Sequence, residues 1–132
     1  MALLIDTNLL IELERDETEA DRIDTALGDE NRAISVITVS ELLHGVHRAT
    51  GARRTRRRAF VEHLLAGLEP IPITEPVARI HAEIWAELTD QGRPVGAHDL
   101  WIAATAIALG LGIATRNPTD FGPIPGLRIV TP

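Results

Sequence analysis

Four carboxylates stand where predicted strands end or predicted helices begin: Asp6, Glu41, Asp99 and Asp120. In an open α/β sheet, the ligand site lies outside the carboxyl ends of the strands. Carboxylates gathered there repel one another unless a cation joins them, and ligand sets made only of oxygen atoms suit Mg²⁺ or Mn²⁺. The pattern therefore predicts metal-dependent chemistry on a phosphate-containing substrate.

Each acid also has a purely structural explanation. Asp6 and Asp120 occupy positions that suit the starts of helices. Thr38 and Glu41 have the spacing of a capping box with Thr38 as the N-cap. Asp99 lies in a first helical turn, where an acid complements the helix dipole, although burying it there would be costly. Helix dipoles stabilise one or two carboxylates but not a mutually repelling cluster, so the four acids together favour a bound cation.

The elements that must position these acids alternate between strand and helix. Predicted strands cover residues 2–5, 33–37, 68–73, 111–115 and 127–130, the third of them a proline-containing edge strand. Between them, amphipathic or apolar segments predict helices near residues 7–13 and over 18–27, 38–50, 52–66, 75–89 and 98–109. This alternation predicts a parallel sheet covered on both faces, and 132 residues suit one domain over 1–132.

Charge is unevenly distributed along the chain, whose net charge is −6. Residues 12–30 hold nine acids and two arginines, a local charge of −7, so the remainder is +1 and a nucleic-acid partner stays open. The arginine-rich run 53–58 either forms a solvated face or contacts phosphates. There is no cysteine, which excludes disulfides and thiolate metal sites.

Two further groups of residues have less specific patterns. Glu41, His44 and His47 lie three apart on one predicted helix, a spacing that would also suit Zn²⁺, but no HExxH motif is present. All four aromatic residues stand in apolar contexts and are predicted to lie in the core rather than to stack on bases: Phe60, Trp85, Trp101 and Phe121.

Two apolar segments are candidates for membrane signals, and neither fits one. No signal-peptide pattern precedes Asp6. The charge-free run 100–115 is shorter than the roughly 20 residues of a membrane helix. A cytoplasmic protein without a membrane partner is expected.

Four segments, taken in order, resemble motifs of the PIN-domain ribonucleases and, more narrowly, of the toxins in VapBC-type toxin–antitoxin pairs. They are LLIDTNLLIE at the start, then TVSELLHG, HDLWIAATA and TRNPTDF. Each motif is weak singly, but the ordered set is specific and spans nearly the whole chain. The resemblance implies a three-layer α/β/α fold with a central, mainly parallel sheet.

The resemblance also implies roles for single residues. Asp6 and Asp99 would be metal ligands, and Glu41 would help to hold a metal-bound water. Asp120 would be the fourth acid if the TRNxxDF alignment holds, whereas Asn117 occupies the other position open to it. The residues expected to line the site are Thr115, Arg116 and Asn117.

The implied activity is Mg²⁺- or Mn²⁺-dependent hydrolysis of RNA by activated water, leaving a 5′-phosphate and a 3′-hydroxyl. The implied partners are a small cognate antitoxin and further copies of the chain, as a homodimer or a larger toxin–antitoxin assembly. The alternative from another class is a non-catalytic PIN-like module that binds protein. A haloacid-dehalogenase-type phosphatase would need an acid where Asn8 stands, and both it and a receiver domain need a lysine, of which the chain has none.

Overall fold

A twisted sheet of five short strands forms the middle layer of the molecule. The computed structural model describes residues 2–132, so Met1, the first residue of the predicted domain, lies outside it. The strands are β1 (Ala2–Ile5), β2 (Asn31–Ser35), β3 (Pro70–Ile71), β4 (Gly112–Ala114) and β5 (Ile129–Val130). The helices are α1 (Thr7–Arg15), α2 (Glu19–Leu27), α3 (Val36–Arg48), α4 (Gly51–Ala66), α5 (Glu75–Asp90) and α6 (Ala97–Leu109). A 3₁₀ turn, Pro118–Asp120, follows β4.

All strand pairs are parallel, and the strands lie in the order β3-β2-β1-β4-β5. Leu4 of β1 is paired with Ala33 on one side and Ile113 on the other, so β1 is the central strand. The chain builds outward from β1 on one side and then returns to build outward on the other side through β4. Ligands of open α/β sheets bind at such a reversal of strand order, here between β1 and β4.

Alternate side chains of β1 enter two separate cores, because successive residues of a strand point to opposite faces. Leu3 and Ile5 pack with apolar residues of α1 to α4. Leu4 packs with apolar residues of α5 and α6 and with Phe121. The predicted three-layer α/β/α fold with a parallel sheet is confirmed. Within the described part of the chain, no helix combines the length and apolar character needed to span a bilayer.

The start of α3 corrects one prediction. β2 ends at Ser35, two residues before its predicted end, and α3 begins at Val36. The Ser35 hydroxyl accepts a 3.0 Å hydrogen bond from the Ile37 amide and is the N-cap. The prediction that Thr38 caps this helix is therefore wrong. Thr38 is fully buried within the first turns of α3, and the capping-box explanation for Glu41 fails with it.

Trp85 corrects a second prediction, because it lies on the surface with 61% of its area exposed. The buried residues of α5 are Val77, His81, Ile84 and Leu88. Trp85 lies next to this stripe, and His81 takes the core position instead, stacked on Trp101 with ring centroids 3.6 Å apart. The buried stripe of α5, at positions 77, 81, 84 and 88, therefore contains one polar residue, His81, and does not contain Trp85.

Arginines from distant segments neutralise much of the acidic stretch 12–30. Arg116 bridges Glu12 and Glu19 with N–O distances of 2.8 and 2.7 Å. Three further pairs join this stretch to other parts of the fold: Arg57–Glu14, Arg128–Glu30 and Arg32–Asp24. Arg57 is thus a structural residue of the arginine-rich run 53–58. The other arginines of this run are exposed.

Candidate active site

The edge of the sheet at which β1 and β4 end brings together the four predicted acids. Asp6 follows β1, and Asp120 ends the 3₁₀ turn after β4. Glu41 lies on α3, and Asp99 lies in the first turn of α6. Their charges act on one another: Glu41 and Asp120 raise the pKa of Asp6, and the other three acids raise the pKa of Asp99.

The acids are nevertheless not a closed ligand cluster. Among residues 2–132, no three side chains of His, Asp or Glu converge closely enough to hold one ion. Like charges without a counter-ion repel one another, and here they raise the pKa of Asp6 and of Asp99. Binding one ion between them would require these side chains to move toward one another.

Asp6 is held by a buried hydrogen bond across the two central strands. Its side chain is 3% exposed, and its Oδ2 accepts a 2.7 Å hydrogen bond from the Thr115 hydroxyl. Burial raises the pKa of Asp6, whereas the Thr115 hydroxyl and the nearby Asn8 amide lower it. Asp6 occupies the N-cap position of α1 but makes no side-chain capping bond. The Asn8 amide, at the second position of α1, nevertheless acts on this carboxylate as a capping amide would, so Asp6 combines a helix-start position with its bond to Thr115.

Glu41 is held by a pair of threonines that joins α1 to α3. The Thr7 hydroxyl donates a 2.8 Å hydrogen bond to Oε1 of Glu41 and forms a second bond, of 3.0 Å, with the Thr38 hydroxyl. Oε2 of Glu41 lies 3.5 Å from Nδ1 of the exposed His98. One carboxylate oxygen is thus positioned by the fold, and the other faces the entrance of the site.

Of the four acids, Asp99 has the environment that is most clearly suited to a bound cation. Burial, followed by the charges of the other three acids, raises the pKa of Asp99 from 3.8 to about 6. Within residues 2–132, its carboxylate accepts no side-chain or capping hydrogen bond and forms no ion pair. A side chain at Gly96 would approach its Oδ2 to 3.3 Å, so glycine leaves this carboxylate room. Oxygen donors in this state fit a divalent cation, which would favour the ionised form.

The segment after β4 supplies the remaining predicted residues. Asp120 is exposed, and its amide donates to the Asn117 carbonyl at 3.1 Å. Asn117 is also exposed and caps nothing with its side chain. Thr115 lies inside the site on Asp6, whereas the Arg116 guanidinium turns to Glu12 and Glu19 on α1 and α2. Of the two candidates for the fourth acid, Asp120 is the one whose charge acts on Asp6 and Asp99.

Three polar residues of the site were not predicted from the sequence: Thr7, Thr38 and His98. Thr7 directly follows Asp6, so a hydroxyl next to a strand-end acid was the available signal. Thr38 had been interpreted as a helix cap. His98 precedes Asp99 on the same helical turn, where its role depends on the approach of α3.

Comparisons with known proteins show the family to which the chain belongs. A family model described as PIN domain matches residues 3–122. Ribonuclease VapC1 of Rickettsia felis is 35% identical, and the alignment covers 99% of this chain and 96% of that protein. The tRNA(fMet)-specific endonuclease VapC of Salmonella typhimurium is 33% identical, over 98% of this chain and 96% of that protein.

Solved structures show the same likeness in three dimensions. A chain of DNA-bound VapBC from Salmonella typhimurium is 33% identical with a TM-score of 0.88, covering 99% of this chain and 98% of that one. A chain of VapBC-5 from Mycobacterium tuberculosis is 30% identical with a TM-score of 0.81, at the same coverage.

Proposed function

The chain belongs to the PIN-domain family, and from this premise we propose that it is a metal-dependent endoribonuclease acting as the toxin of a type II toxin–antitoxin pair. The observation that supports this most directly is the unpartnered Asp99 carboxylate, whose pKa is raised to about 6 among three other acids. The unit that performs the reaction is a single PIN-like domain over residues 1–132.

The cation is Mg²⁺, with Mn²⁺ as a substitute, because all the available donors are carboxylate oxygens. Asp6 and Asp99 would hold it directly, Glu41 would act through water, and Asp120 would complete the acidic ring. When bound, a divalent cation neutralises a scissile phosphate and makes an attacking water more acidic.

The residues of the chain prepare this chemistry by position. Thr115 fixes Oδ2 of Asp6 and so holds this carboxylate at the ends of β1 and β4. Thr7 fixes Oε1 of Glu41, which leaves Oε2 to orient the attacking water and accept its proton. The water oxygen would bond to phosphorus as the bond from phosphorus to the 3′-oxygen breaks, and the 3′-oxygen would take a proton from solvent, giving a 5′-phosphate and a 3′-hydroxyl. No side-chain nucleophile is needed.

A cleavage assay tests the proposal. Wild type should cut single-stranded RNA with Mg²⁺ and stop in EDTA. Asp6→Asn and Asp99→Asn should each remove a ligand charge and lower the rate by more than about 100-fold, because even residues that only support metal ligands are worth about 10–100-fold. Asp21→Asn removes an exposed acid outside the site and should cut like wild type.

Circular dichroism should show that all three variants stay folded. If Asp99→Asn cuts RNA as fast as wild type in Mg²⁺, the assignment of the metal site is wrong. If wild type binds a partner protein but never cuts RNA under any divalent cation, the chain is the non-catalytic PIN-like binding module.

The same premise supports an antitoxin partner. Related chains have been solved as VapBC complexes from several bacteria, and we propose that this chain likewise binds a small antitoxin and assembles into a homodimer or a larger complex. A basic antitoxin side chain would compensate the acids of the site. An apolar groove of about 410 Å³ between α1, α2 and α4 suits the apolar face of a short helix.

Co-purification tests the partner and the groove together. Co-expression with the small protein encoded beside this gene should give a complex, and Leu64→Gln in the groove should weaken it. Leu109→Gln changes an exposed leucine at the far end of α6 and should leave the complex intact. A complex that tolerates Leu64→Gln would place the antitoxin elsewhere on the surface.

A further inference from the structure

A second concave surface lies outside the acidic site, between α5, α6 and the loop that joins them. It is a pocket of about 570 Å³, within the range of small-molecule and cofactor sites. Leu88, Val95 and Leu100 form its apolar walls, and Trp85 and Trp101 supply its aromatic surface. We call it the tryptophan pocket.

The aromatic wall of the tryptophan pocket is already assembled. His81 stacks on Trp101 with 14° between the ring planes, and Trp85 meets His81 edge-on with centroids 5.7 Å apart. His81 is buried, so its ring is packed in place. Trp85, by contrast, leaves 61% of its surface to solvent, the largest exposure of any bulky apolar side chain in residues 2–132. A flat ligand could cover this ring without any rearrangement of the core.

The charge of the pocket is opposite to that of the chain. The protein carries 19 acids against 13 arginines, yet none of the residues lining the pocket is acidic. Arg93 is the only fully charged side chain among them, and it is exposed. An aromatic surface beside one arginine is the combination that binds an unstacked base and its phosphate.

The pocket and the acidic site share the first turn of α6. Ala97, Leu100 and Trp101 line the pocket from one side of this turn, whereas Asp99 faces the other acids from another side. The two sites are therefore separated by about one helix diameter, ~10 Å. A nucleotide strand that crosses the exposed Ala97 and His98 can occupy both.

We propose that the tryptophan pocket binds a nucleobase of the RNA strand that is cut at the acidic site, with the base on Trp85 and a neighbouring phosphate on Arg93. The proposal rests on the proposed nuclease function and adds a specificity-determining site to it. The base must be unstacked to enter, so the substrate is a single strand or loop. A second copy of the chain could also cover the exposed Trp85 ring, and the assembly state of the Trp85→Ala variant distinguishes the two occupants.

Equilibrium binding tests the pocket without any cleavage. A short fluorescein-labelled single-stranded RNA is titrated with the full chain in EDTA, and anisotropy reports the Kd. Trp85→Ala should weaken binding about tenfold, the scale of losing one base-stacking contact. Trp85→Phe keeps a ring and should recover most of the affinity. Leu109→Ala removes another exposed apolar side chain, 51% exposed and outside the pocket, and should bind like wild type.

Three outcomes separate this inference from the proposed function. If wild type cuts RNA and Trp85→Ala binds and cuts equally well, the pocket proposal is overturned while the nuclease stands. If wild type binds RNA in a Trp85-dependent way but does not cut it, the nuclease proposal fails and the pocket stands. If Trp85→Ala leaves the RNA Kd unchanged but turns a dimer into a monomer in sedimentation, the pocket is a contact between copies and the proposal is overturned.

Discussion

The Thr115 hydroxyl donates a 2.7 Å hydrogen bond to Oδ2 of Asp6, and both side chains are buried. The bond joins the ends of β1 and β4, the two strands between which the order of the sheet reverses. It acts on Asp6 in the direction opposite to burial, since it lowers the pKa that burial raises. This hydroxyl group, together with the Asn8 amide, thus offsets part of the cost of burying the ionised acid.

Thr115→Val should test this relationship at nearly constant side-chain volume. Losing a hydrogen bond to a charged group should lower the free energy of unfolding by about 1–3 kcal/mol at neutral pH, because Asp6 keeps its buried charge without its hydroxyl donor. The cleavage rate should also reach its maximum at a higher pH. Urea unfolding and a pH–rate profile measure the two effects. Thr115→Ser retains the hydroxyl, and a similar loss in that variant would rule out the hydrogen bond as the cause.

Divalent cations should stabilise the folded protein through Asp99. Since the unfolded chain has no assembled site, a cation at about 100 times its Kd should raise the free energy of unfolding by about 2.7 kcal/mol. Thermal unfolding against Mg²⁺ or Mn²⁺ concentration should therefore show a rising Tm for wild type and for Asp21→Asn. Asp99→Asn should give a nearly flat curve. An equal rise in all three proteins would mean that the ion binds elsewhere.

The stability of the metal-free protein should depend on pH through the same residue. The pKa of Asp99 is 3.8 for an ordinary Asp and about 6 in the fold, so the folded state binds this proton more tightly. Ionising Asp99 therefore destabilises the folded state. The contribution of Asp99 to the free energy of unfolding falls as the pH rises from about 4 to about 6, and it stays low at higher pH. Because Asp99 is partly exposed to water, the loss is about 1 kcal/mol.

Urea titrations of wild type and Asp99→Asn in EDTA measure this contribution. The asparagine variant should be the more stable protein near pH 7, where wild type carries the repelled charge. The two should become equally stable near pH 4, where Asp99 is protonated in wild type. A difference that stays the same at both pH values would show that the substitution acts by packing rather than by charge.

Two glycines should respond in opposite ways to alanine. A Cβ at Gly112 in β4 would lie 2.9 Å from Cδ2 of Leu3 and 3.0 Å from Cζ of Arg128, so Gly112→Ala should cost about 1–3 kcal/mol. Gly45 lies inside α3, where a Cβ would meet Arg57 at an ordinary 3.7 Å. Gly45→Ala should gain about 0.5–1 kcal/mol from its helix preference. Urea unfolding of both variants and of wild type measures these changes in the free energy of unfolding. If both substitutions stabilise the protein, or both destabilise it, this account is wrong.

The positions of Asp6 and Asp99 were predictable because each follows a local pattern. An apolar run ends directly at Asp6, and an apolar helix begins at Asp99. The N-cap role of Ser35 was harder to predict, because Ser35 and Thr38 are both good capping residues and local preference hardly separates them. Both are buried, and what separates them is that β2 stays paired with β3 through Ser35, so α3 begins directly after it.

Contacts between distant segments could not be derived from local pattern. Thr7 meets Glu41 across 34 positions, and Arg116 meets Glu12 across 104. These contacts depend on how the helices dock on the sheet. Trp85 illustrates a different limit: a count of apolar residues favours the tryptophan as core, whereas the geometry of the stripe favours His81. The exposure of the Trp85 ring follows from which face of α5 packs against the core, and the three-dimensional structure defines that face.

A growing chain contains Asp6 and Glu41 long before it contains Thr115. Asp6 and Thr115 are 109 residues apart, which corresponds to roughly 5–20 s of protein synthesis. During that interval β1 can pair with β2, but its other edge has no partner and Asp6 lacks its hydroxyl donor. The acidic centre is therefore unfinished while the first half of the sheet emerges from the ribosome. The acidic centre can be completed only after β4 has been translated and has docked on β1.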